Sequence, residues 1–88
     1  MEISPLVLAN LNRWISHGVN PGHFLTAVLM NDLREAVVRA DDDNLRALPE
    51  IVNWVRRNAP IGCWGSPQAV NRWRMSRRRA VHEPQIKG

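Results

Sequence analysis

Five arginines and a tryptophan gather in one short stretch, Gly65-Ser66-Pro67-Gln68-Ala69-Val70-Asn71-Arg72-Trp73-Arg74-Met75-Ser76-Arg77-Arg78-Arg79. A guanidinium presents a planar fork of donors that matches two phosphate oxygens at once. An indole offers a flat apolar face for stacking on a base or packing on a partner. Ser66 can accept a hydrogen bond from a free amide at a helix start, and Pro67 suits the first helical position. The stretch therefore predicts a capped, basic helix built for an anionic ligand. The candidate ligand-binding residues are Trp64, Ser66, Gln68, Asn71, Arg72, Trp73, Arg74, Arg77 and Arg78.

Charge along the chain points the same way. Residues 1–58 carry six arginines against seven carboxylates, whereas residues 59–88 carry five arginines and Lys87 against Glu83 alone. Such asymmetry favours DNA, RNA, an anionic nucleotide or an acidic protein surface as partner. Lys87 is the sole lysine, and a near-exclusive use of arginine favours fork-type contacts over simple solvation. The competing reading is a solvated, frayed tail, which applies most strongly from Arg77 onward.

The elements that must position this helix are themselves helical. At 88 residues the chain forms one domain, which buries roughly two-thirds of its unfolded surface. Ser4-Pro5 repeats the cap-and-proline start, and Val7, Leu8, Leu11, Trp14 and Ile15 follow at helical spacing until Gly18. Asn20-Pro21-Gly22 is a turn. His23 to Ala40 predicts one long helix with Leu25, Leu29, Leu33 and Val37 on its apolar stripe. Asp41-Asp42-Asp43-Asn44 closes it and caps the next, which carries Leu45, Leu48, Ile51, Val52 and Val55. Pro49 argues that this third helix starts near residue 49. No segment alternates with a strand period. The expected fold is all-α: a small bundle or orthogonal cluster of three to four short helices over residues 1–81, with residues 82–88 as a disordered tail.

Trp14 and Trp54 lie on apolar stripes and read as core. Trp73 suits either core or a stacking platform. Trp64, in a loop between Gly62 and Gly65, suits either a presented indole or a plug over the open end of the bundle. Helix stripes also serve dimers as well as monomers, so a homodimer or higher homo-oligomer remains open.

Catalysis has little support. Cys63 with His17, His23 or His82 forms no nucleophile–base signature, and none of these residues is spaced like a zinc ligand pair. The Asp41 to Asp43 run lacks the glycine and distal glutamate of a calcium loop. No glycine-rich phosphate loop is present. The expectation is a non-enzyme without metal or cofactor. One cysteine excludes an intrachain disulfide, and no leader-like or membrane-spanning apolar run is seen, which suits a reducing cytoplasm and no membrane partner.

Two resemblances add to this reading. Pro21-Gly22-His23-Phe24-Leu25, Ala27-Val28-Leu29, Asn31-Asp32-Leu33, Glu35-Ala36 and Gly62-Cys63-Trp64-Gly65-Ser66 resemble a set of small accessory proteins of tailed phages and prophages, over most of residues 20–73. Pro49 departs from that pattern. The resemblance implies a viral protein in the cytoplasm of a bacterial host, where such proteins regulate phage genes, redirect a host enzyme or block a defence system. Separately, Gly65 to Trp73 is similar to the opening of a recognition helix in Cro-like helix-turn-helix proteins. That likeness implies that Ser66, Gln68, Asn71 and Arg72 face DNA while Val70 and Trp73 face the core. Against it, the preceding helix is expected to end near Asn58, leaving more than the usual three- or four-residue turn. Three roles follow: a binder of nucleic acid or a signalling nucleotide, a protein inhibitor of a host or defence complex, or a virion structural or assembly component.

Overall fold

A computed structural model describes the backbone of residues 3–87 and the side chains of residues 3–77. Helix α1 spans Pro5–His17, α2 His23–Leu29, α3 Leu33–Arg39, α4 Asp42–Asn58 and α5 Pro67–Lys87, with a single 3-10 turn at Ile61–Cys63. The fold is all-helical, with five α-helices in place of three to four, and no strand among the described residues. The backbone of α5 runs into the segment assigned to a tail, while its side chains from Arg78 on lie outside the described residues.

Helix α1 forms as its sequence dictates. The Ser4 hydroxyl accepts from the Val7 amide at 3.2 Å, Pro5 occupies the first turn, and Gly18 ends the helix with φ 68°. Val7, Leu11 and Trp14 form its buried face.

The long helix expected over His23 to Ala40 is two helices. Asn31 adopts φ 63°, the Asn31 amide donates to the Val28 carbonyl at 3.0 Å, and the Asp32 amide donates to the Ala27 carbonyl at 2.9 Å. These two bonds are the Schellman closure of a helix, for which asparagine is the usual substitute for glycine. Asp32 then starts α3, its Oδ1 accepting from the Glu35 amide at 3.2 Å. The break turns α3 so that Ala36 is buried, while Leu33 and Val37, expected on the core stripe, are exposed.

Helix α4 starts at Asp42 and not near Pro49. Asp41 Oδ1 accepts from the Asn44 amide at 2.8 Å, Asp42 and Asp43 sit in the positive first turn, and Arg56 and Arg57 sit in the negative last one. Ala47, Ile51 and Val55, one turn apart, hold the helix to the core straight past the proline. Pro49 lies on the exposed side and, having no N–H, cannot donate to the Leu45 carbonyl. Pro49→Ala is accordingly expected to stabilise the fold by about 1–3 kcal/mol, read as a higher urea midpoint; a lower midpoint would mean that the ring packs usefully.

Trp14, Leu11, Leu29, Ile51, Val55, Val70 and Cys63 are the most deeply buried side chains. No charged or polar side chain is buried among the described residues. Trp54, expected in the core, is half-buried and packs against its edge. The loop between α4 and α5 is tied down by the Gly65 amide, which donates to the Leu29 carbonyl at 2.7 Å.

Candidate nucleic-acid interface

Helix α5 is anchored at its start and along one face. The Ser66 hydroxyl accepts from the Ala69 amide at 3.1 Å, so this candidate residue is engaged as the cap. Ala69 and Val70 are buried, and Trp73, Arg74 and Arg77 are half-buried on the same side. Gln68, Asn71, Arg72, Met75 and Ser76 are exposed. The helical period thus separates the candidate residues into an outward set, Gln68, Asn71 and Arg72, and an inward set, Trp73, Arg74 and Arg77. Arg78 lies outside the described side chains.

The inward set is built into a tryptophan ladder. Trp14 Nε1–H donates to the Cys63 carbonyl at 3.1 Å, and Trp73 Nε1–H donates to the Trp14 carbonyl at 2.9 Å. The same Trp14 carbonyl accepts from the Gly18 amide at 2.9 Å, so the last turn of α1 and the α5 indole share one acceptor. The Arg77 guanidinium carbon stands 4.0 Å from the centroid of the Trp73 ring, and that of Arg74 stands 6.0 Å from Trp14. Both contacts are within cation–π range. The Nε atoms of Arg74 and Arg77 are buried without a hydrogen-bond partner among the described residues.

Helix α5 passes over the end of α1 at Gly18. A Cβ on Gly18 would stand 2.7 Å from Arg77 Cβ and 3.5 Å from Arg74 Cα. The backbone and first side-chain carbons of the two arginines therefore pack directly on the end of α1. Arg74 and Arg77 act as packing partners of α1 as well as carriers of charge. Only the local half of this arrangement, Trp73 and Arg77 one turn apart, had a signal in the sequence.

Trp64 is half-buried. It lines a small apolar cleft of about 60 Å³ with Val28, Ala36, Leu48, Val52 and Val55, contributed by α2, α3 and α4 and not by α5. Its indole thus lines a cleft to which no α5 residue contributes. Leu33 is 69% exposed and Val38 67%, so α3 offers solvent an apolar side that the sequence reading had placed partly inside.

Cys63 is fully buried, and burial pushes its thiol up from the ordinary value, against smaller opposing influences from the Trp14 hydrogen bond and the Arg77 charge. A thiol held protonated in the fold is a poor nucleophile. The sign of the linkage is fixed by the raised folded-state pKa. The stabilising contribution is complete below the ionisation of an exposed thiol, about pH 8.5, and is lost as pH rises through the folded-state value. Urea midpoints are expected to fall at alkaline pH in the wild type, and less steeply in Cys63→Ala. Equal slopes would place the alkaline sensitivity elsewhere.

Among the described residues no three His, Cys, Asp or Glu side chains gather to hold a metal, and no helix is long and apolar enough to cross a membrane. No known protein family, curated protein or solved structure matches the chain.

Proposed function

We propose that this chain is a non-catalytic, phage-type accessory protein that binds nucleic acid through the outward face of α5. One observation carries the reading. Gln68, Asn71 and Arg72 form an exposed stripe in the first two turns of a capped helix whose opposite face is fastened by Val70, Trp73 and Arg77. That is the disposition of a reading helix: side chains able to meet base edges or phosphates, on a support that holds still. No carboxylate occurs between Pro67 and Arg77 to oppose a phosphate backbone. Anionic nucleotides fall within the same chemistry, with Arg72 as the phosphate fork.

The test is duplex DNA binding as a function of salt. Affinity is expected to fall linearly with the logarithm of salt concentration, with the slope counting the phosphates engaged. Arg72→Ala is expected to lose about tenfold in affinity, in the range of one bidentate contact, at an unchanged urea midpoint because the side chain is exposed. Affinity indifferent to both salt and Arg72 would sink the reading.

A second reading has its own observation. The exposed Leu33, Val37 and Val38 of α3 are unsuited to a nucleic-acid groove and suited to a protein surface, which favours an inhibitor of a host or defence complex. One stoichiometric host protein retained after nuclease treatment, and lost in Leu33→Asp, would favour it over the first.

A further inference from the structure

A groove of about 510 Å³ lies between the start of α1 and the second half of α4, lined by Ile3, Leu8, Glu50, Asn53, Trp54, Arg57 and Asn58, whose side-chain amide nitrogen donates to the Trp54 carbonyl at 2.9 Å. The groove is broad and largely open to solvent. None of these residues belongs to the α5 interface, and the groove stands independently of that reading. Its polar groups are ordered along one face of α4: Glu50, Asn53, Trp54 and Arg57 follow at steps of three, one and three residues. The half-buried Trp54 supplies an indole, with the aliphatic Ile3 and Leu8 contributed from the α1 side. A groove that brings an indole and two aliphatic side chains beside a row of polar groups holds the components of a nucleobase site.

The edge chemistry selects among the bases. Glu50 is an acceptor only when ionised, and among the described residues it joins no ion pair. The Asn53 Oδ1 accepts from an Arg56 guanidinium nitrogen at 3.4 Å, which leaves the NH2 group of this groove-lining residue available as a donor. An acceptor-only carboxylate beside an amide donor complements the Watson–Crick edge of guanine, which presents two adjacent N–H groups and a carbonyl oxygen. Adenine presents a ring nitrogen acceptor where guanine has N1–H, and the Glu50 carboxylate would oppose it. Arg57 lies two helical turns beyond Glu50, about 10.5 Å along the axis, a span comparable to that from the Watson–Crick edge of a purine to its 5′ phosphate. The Arg57 guanidinium likewise joins no ion pair among the described residues.

We propose that the α1–α4 groove binds a guanine nucleotide, with the base stacked on Trp54, its donor edge on Glu50, its carbonyl on Asn53 and its phosphate on Arg57. Two sources share this chemistry: free guanosine monophosphate and a guanine in single-stranded RNA. Isothermal titration of the intact protein with guanosine monophosphate, adenosine monophosphate and guanosine tests the assignment without any substitution. Saturable binding of guanosine monophosphate is expected, with both other ligands weaker by about tenfold or more. Glu50→Gln should abolish most of the preference for guanine over adenine. Arg57→Ala should bring the monophosphate down to the level of guanosine and leave guanosine unchanged. Titration of the pentanucleotides UUGUU and UUAUU separates the sources. Tighter binding of UUGUU than of the monophosphate assigns the site to RNA, and the reverse order assigns it to the free nucleotide. No binding of guanosine monophosphate, equal binding of the two monophosphates, or unchanged binding in both folded variants would overturn the proposal.

Discussion

Trp14→Ala is expected to leave the chain without a cooperative fold at 37 °C. Removing a buried aromatic side chain costs about 3–5 kcal/mol. The Cys63 carbonyl would also lose the donor that reaches it at 3.1 Å, and a stranded buried acceptor costs about 1–3 kcal/mol more. A domain of 88 residues has about 4–13 kcal/mol in hand, so the two losses consume most of it. Trp14→Phe keeps most of the volume and loses only the N–H, and should cost about 1–3 kcal/mol. Urea unfolding followed by far-ultraviolet circular dichroism reads both. A Trp14→Ala protein that melts cooperatively at the wild-type midpoint would remove the indole from the centre of this fold.

Gly18→Ala should cost about 2–5 kcal/mol, from two sources that can be told apart. The backbone stands at φ 68°, where a Cβ costs about 1–2 kcal/mol. The added Cβ would also press on Arg77 Cβ at 2.7 Å, so α5 must lift from the end of α1, at a cost of about 1–3 kcal/mol. Asparagine tolerates the left-handed conformation and does not relieve the contact. Gly18→Asn is therefore expected to recover the backbone part of the loss and to keep the part due to the contact, about 1–3 kcal/mol. If asparagine restores wild-type stability, the close approach of α5 contributes nothing and only the backbone conformation matters at this position.

Helix ends with local chemistry were legible in the sequence: Ser4-Pro5 and Gly18 bound α1, and Ser66-Pro67 opens α5. The α2–α3 break was written in Asn31-Asp32 with Glu35 three residues on, but the even spacing of Leu25, Leu29 and Leu33 hid it. An apolar repeat continues through a turn as easily as through a helix when the second segment shows its leucine to solvent. Pro49 misled in the opposite direction. Its local cost is real, yet Ala47, Ile51 and Val55 hold the helix on both sides of it. In the candidate interface, the split into Gln68, Asn71 and Arg72 outside and Val70 inside follows from helical periodicity. The roles of Arg74 and Arg77 do not, because the Trp14 ring and Gly18 that receive them come from the far end of the chain. The groove along α4 was equally hidden, since Ile3 and Leu8 complete it from another helix.

The tryptophan ladder also sets an order of events in the cell. Its two hydrogen bonds join residues 49 and 59 positions apart, so α1 leaves the ribosome long before the groups that cover it exist. Closing a loop that long adds little to its entropic cost, because that cost grows only with the logarithm of length. The penalty falls on time instead. Until those residues are made, the Trp14 indole lacks both the carbonyl that takes its N–H and the arginine that stands over its ring, and partly folded chains in that condition are the ones that aggregate or meet proteases. Arrival of α5 ends this interval, which makes the same helix that is offered to nucleic acid the one that completes the protein's birth.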